Sequence, residues 1–137
     1  MAPWDITIKA GTDWRKTLRW TTPVLDLDGN VTRDASGKLV YEPVDTTGYT
    51  AKMQIRDRVG GILIATLGTA DVVGRDGTIT FGGVNGHIEF HLPWAVTDTF
   101  RKFGRAVHDI EFLSPAPDII KIPWAEGTVT IKEQVTR

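Results

Sequence analysis

His87, Glu89 and His91 alternate along one stretch of the chain, and two imidazoles with a carboxylate form a donor set that zinc accepts. In an extended chain all three point to one side. Residues two apart on a strand are, however, ~7 Å from each other, a wide span for ligands converging on one ion. Ile88, Phe90 and Leu92 claim the opposite side as core, so the polar set is expected on a wet face and no metal is expected. Asp26, Asp28 and Asn30 hint at a calcium loop. Such a loop places glycine sixth and glutamate twelfth, whereas Gly29 arrives fourth, so an Asp-Gly-Asn turn is expected instead. His108 falls in phase with Ile110 and Phe112 and is expected inside, as a hydrogen-bonded core histidine. The two serines, Ser36 and Ser114, stand beside glycine and proline, and no Gly-x-Ser-x-Gly elbow is present. Neither Val59 to Ile62 nor Phe81 to Gly86 matches a phosphate-binding loop. Neither catalysis nor a cofactor is expected.

The remaining chemistry is that of binding. Trp14 and Trp20 fall on a core face, and Trp4 is in phase with Ile6 and Ile8. Trp94 and Trp124 lie near turns, where exposed indoles anchor protein interfaces or stack on sugar rings; protein is the favoured partner. Leu39 and Tyr41 lie in a long irregular stretch and join them as candidate interface residues. Arg15 and Arg19 share one outer face, and Lys52 and Arg56 share another. These cations fit a solvated face that resists edge-to-edge pairing, or charge matching to an acidic neighbour.

The elements that would hold these residues are strands. Tyr49, Ala51, Met53 and Ile55 alternate with Thr50, Lys52, Gln54 and Arg56, the period-two signature of a half-buried strand. Gly60-Gly61 then suits a two-residue hairpin turn before Ile62 to Leu67. Alternation recurs at Ile6 and Ile8, at Trp14, Leu18 and Trp20, at Ile79 and Phe81, and at Ile88, Phe90 and Leu92 beyond the Asn85-Gly86 turn pair. His108, Ile110 and Phe112 mark a later strand, and Thr128 to Val135 the last, with Val129 and Ile131 inward. One short helix is expected from a Thr97 cap to Phe103, stopped by Gly104. Residues 21–47 read as an excursion, a protruding hairpin or long loop between core strands, and loops on a rigid scaffold often carry contacts. No internal repeat is evident.

The expected fold is therefore all-β: one domain over residues 1–137, an immunoglobulin-like antiparallel sandwich with one short helix and the excursion. The chain's 137 residues are long enough to bury a core without staples. The 16 basic residues are matched by 17 acidic ones, which argues against a nucleic-acid binder, since such proteins carry a basic surplus to neutralise phosphates. With no cysteine, disulfides and thiolate metal sites are excluded. No stretch approaches the ~20 apolar residues of a membrane span, and no secretory leader is expected at Met1 to Asp5.

The order of short segments carries a resemblance. Ile8-Lys9-Ala10-Gly11-Thr12-Asp13-Trp14 is followed by Gly48-Tyr49-Thr50-Ala51-Lys52-Met53-Gln54-Ile55-Arg56. Then come Gly86-His87-Ile88-Glu89-Phe90-His91-Leu92 and His108-Asp109-Ile110-Glu111-Phe112. Glu126-Gly127-Thr128-Val129-Thr130-Ile131 and Val135-Thr136-Arg137 close the chain. This order resembles a group of small tailed-phage virion proteins and, more distantly, the immunoglobulin-like N-terminal domain of phage baseplate upper proteins. It spans nearly the whole chain outside residues 21–47; where the group usually has an aromatic before Asp-aliphatic-Glu, this chain has His108. The resemblance implies a non-enzymatic virion component, made in the host cytoplasm and used in many copies. It would join tail, baseplate or fibre parts, or decorate the capsid surface. Its partners would be other virion proteins, with neither nucleic acid nor membrane; a module for host-surface glycans is the alternative.

Overall fold

Wherever the sequence alternates, the backbone is extended and one side is buried. The computed structural model describes residues 2–133. Strands β1 (Ala2–Pro3) and β2 (Ile6–Lys9) are two pieces of one edge. They are followed by β3 (Trp14–Arg19), then β4 (Thr21–Pro23) and β5 (Tyr41–Pro43), which form a separate small sheet. The core strands continue with β6 (Thr50–Arg56), β7 (Leu63–Gly68), β8 (Gly77–Phe81) and β9 (His87–Leu92). After helix α1 (Trp94–Asp98) come β10 (Arg105–Leu113) and β11 (Lys121–Lys132).

Among the described residues, nine strands join in the order β1/β2, β11, β10, β6, β7, β8, β9, β3. The sheet folds over itself in a sandwich-like arrangement. β2, β11, β10, β6 and β7 make one layer, and β8, β9 and β3 the other. The seam is narrow: β7 and β8 run parallel and share only the pairs Leu67↔Gly77 and Gly68↔Thr78. β1 and β2 are also parallel to β11, while the remaining pairings are antiparallel. The fold is all-β.

Aromatic side chains bridge the layers. Trp4 lies 5.2 Å from Phe90 between ring centres, Trp20 lies 5.4 Å from Phe112, and Phe81 lies 5.1 Å from Phe112. Ile8, Met53, Ile55, Leu67, Ile88, Phe90, Ile110 and Val129 complete a fully buried centre. At about 1.5–3 kcal/mol for each large side chain removed from water, this cluster dominates the stability of the fold.

Four local features differ from the sequence reading. The β6–β7 connection runs from Asp57 to Ile62 instead of being a two-residue turn, because the Asp57 carboxylate accepts the Ile62 N–H and holds the loop open. β11 begins at Lys121, seven residues before the expected strand start, and tolerates Pro123 by bulging. Pro123 pairs with Glu111 and Ala125 with Ile110, so Trp124 is the extra residue. Val135, the expected end of that strand, lies outside the described residues. Helix α1 starts at Trp94, with Pro93 as its N-cap, and a 3-10 turn over Thr99–Lys102 extends it. Thr97 is no cap. Its buried hydroxyl accepts the Gly11 N–H and donates to the Thr12 carbonyl, pinning the helix to the β2–β3 turn.

Candidate functional site

The outer face of β3, β9 and β8 collects the polar side chains singled out above. Antiparallel register sets Arg15 opposite His91, Thr17 opposite Glu89 and Arg19 opposite His87. Thr78 and Thr80 extend the first two rows onto β8. Arg15 donates to Glu89 at 3.1 Å, so this carboxylate serves a cross-strand ion pair. The His91 ring faces Asp13 at 3.6 Å. Among the described residues no three His, Cys, Asp or Glu side chains converge as a metal site. The face is a ladder of cross-strand pairs.

His108 is buried between the layers. Its Nε2–H donates to the Trp4 carbonyl at 2.5 Å, and its Nδ1 is enclosed without a partner among the described residues. Burial lowers the imidazole pKa below the ordinary histidine value, overriding the opposing pull of the Trp4 carbonyl and of Asp109, Asp5 and Glu126. The Trp4 carbonyl reaches the ring because its neighbour on β11 is Gly127; a Cβ there would meet that oxygen at 2.1 Å. Asp5 then accepts the Thr128 N–H and hydroxyl, which lowers its own pKa. His108 is thus a structural clasp for the first strand.

The excursion is an ordered arm. The Val24 N–H donates to the Val40 carbonyl, Val40 N–H to Thr32, and Thr32 N–H back to Val24, so three chain segments close a triangle of hydrogen bonds. Two tight turns link them, Asp26-Leu27-Asp28-Gly29-Asn30 and Asp34-Ala35-Ser36-Gly37-Lys38. In each, one aspartate oxygen accepts the N–H groups two and four residues on, and the glycine takes φ near +80°. The arm is therefore an eight-residue repeat, contrary to the sequence reading. The spacing Asp-x-x-Gly, twice at a period of eight, was the signal that could have revealed it. Asp26 is occupied in this turn.

The arm adds nothing to the core between residues 21 and 45, yet it displays apolar side chains. Leu25 is 56% exposed, Leu27 fully so and Tyr41 53%, with Val31 beside them. Leu39 is half-buried against Arg33 on the neighbouring segment. Trp94 is 61% exposed at the start of α1, where its N–H donates to Asp13 beside the first residue of β3. Trp124 differs: its indole stacks on Phe112 at 4.7 Å and meets Trp20 edge-on, so the structure brings it to the core rather than to Trp94.

No known family model matches this chain, and no curated protein matches it.

Of the sequence-derived candidates, then, Arg15 and Arg19 lie on β3 and Trp94 is tied through its backbone to Asp13 just before it, while Leu39 and Tyr41 belong to the arm that begins where β3 ends. Sequence reasoning passed over Leu25, Leu27 and Val31. They sit in a turn-rich stretch with no strand alternation to give their direction.

Proposed function

We propose that this chain is a non-enzymatic structural component of a tailed-phage virion, an adaptor in the tail, baseplate or fibre attachment that works through protein–protein contacts. The order of segments supports the virion setting. The arm carries the mechanistic part: a self-ordered projection that leaves Leu25, Leu27, Val31 and Tyr41 to solvent is suited to burial against a neighbouring protein. Each such side chain gains about 1.5–3 kcal/mol when covered. The polar ladder on β3 and β9 is engaged in cross-strand pairing and suits a face at the rim of such a contact.

Mass spectrometry of purified virions from the phage that encodes the chain should detect this polypeptide at a copy number matching a ring or a set of fibre attachments. Its absence from the particle would overturn the reading. The exposed Trp94 favours one other class, a glycan-binding module. That class predicts a shift in tryptophan fluorescence with host polysaccharide, lost in Trp94→Ala. The adaptor reading predicts no shift.

A further inference from the structure

Among the described residues the sheet is not closed. β3 pairs with β9 on one side, and among the described residues no strand pairs with its other side. An open edge offers unpaired backbone N–H and C=O groups, and proteins that stay apart guard such edges with charge. β3 carries Arg15, Lys16 and Arg19 and no carboxylate, a net charge of +3 in six residues of a chain whose total is −1. All three are exposed, and among the described residues no ion pair involves Lys16 or Arg19. The arm has the opposite balance. Over residues 21–47 it holds five acids (Asp26, Asp28, Asp34, Glu42, Asp45) against two bases (Arg33, Lys38), a net charge of −3. Its exposed leucines and Val31 match Trp94, which stands at the start of the basic edge.

We propose that the arm of one copy docks on the β3 edge of a second copy, in a head-to-tail contact. Two like edges cannot meet, because that would set Arg15, Lys16 and Arg19 against themselves. The arm does not satisfy its own edge: the Val44 N–H to Trp20 carbonyl bond ties its base to the end of β3, and among the described residues no ion pair joins the two. Donor and acceptor surfaces thus coexist on every copy, and a heterologous contact of this kind builds rings or filaments. The inference deepens the adaptor reading by naming a second copy as one of its partners, and it is tested on the isolated protein.

Sedimentation velocity across a concentration series should show the mass rising above the monomer at low salt. The association should weaken at least about tenfold near 1 M salt, where the screening length falls to about 3 Å. Lys16→Glu with Arg19→Glu, and separately Asp28→Lys with Glu42→Lys, should each give a monomer. An equimolar mixture of the two double variants restores complementarity at both surfaces and should associate again. Circular dichroism matching the unaltered chain shows that each variant is folded. A monomer at every concentration in low salt, or association that survives both double variants, would overturn the inference. Detection of the chain in virions together with a monomer in solution would leave the adaptor reading standing without the self-contact.

Discussion

At the residue scale the informative group is His108. The sequence placed it on the inner face, and the structure adds what alternation does not encode: a parallel first strand that offers the Trp4 carbonyl across Gly127. Because burial lowers its folded pKa, the unfolded chain binds the proton more readily. The associated stability is fully present above the unfolded histidine value of about 6.5 and is lost as pH falls from there through the folded pKa. Urea midpoints should therefore drop on acidification from neutrality through that window. In His108→Leu this component of the slope should vanish, while stability at neutral pH falls by about 1–3 kcal/mol because the Trp4 carbonyl loses its buried donor. An unchanged slope in the variant would assign the pH response to other groups. Gly127→Ala makes the complementary change. Its Cβ has no room beside the Trp4 oxygen, and the cost should be about 1–3 kcal/mol, read from the same midpoints.

At the element scale, the strands with one wet face were legible and the rest were not. β6, β9 and β10 could be read because burial alternates along them without interruption. β11 was legible only from Thr128 onward, since Pro123 and the bulged Trp124 break its rhythm. The parallel pairings of β1 and β2 with β11 bring together segments far apart in the chain, which local patterning does not record. The arm shows a different limit. Its order comes from aspartate side chains bonding to backbone, a turn chemistry with its own period of eight. Asp34→Ala removes both acceptor contacts of the second turn, a local loss of about 0.5–1.5 kcal/mol. Limited proteolysis should then cleave near residues 34–38 several-fold faster, while the melting temperature of the sandwich stays within about 2 °C, since surface changes away from the core are nearly neutral. A large fall in melting temperature would mean that the arm and the sandwich unfold together.

At the scale of the whole molecule, the sandwich and the arm are joined at a few defined points. The arm's base is held by the three β4–β5 pairs and by Val44 on Trp20. Thr46, fully buried, then locks the return strand through its bonds with Gly83. Every large residue of the core lies outside residues 21–45. A chain of this size draws its stability from that core, and an ordered projection contributes only what its own turns supply. It follows that Val24 to Val40 can be replaced by an Asn-Gly turn between Pro23 and Tyr41, whose pairing already brings the ends together. The shortened protein should keep its strand circular dichroism, the near-ultraviolet signal of the Trp4, Trp20 and Trp124 clusters, and a melting temperature within about 4 °C, equivalent to about 1 kcal/mol for a domain of this size. It should also be monomeric at low salt, because Asp26, Asp28, Asp34 and the exposed Leu25, Leu27 and Val31 have gone with the arm. Folding retained with assembly lost would separate the two halves of the molecule by task, the sandwich as scaffold and the arm as contact. Loss of folding would instead make the arm part of the cooperative unit, for example through strain transmitted to Trp20 and Thr46.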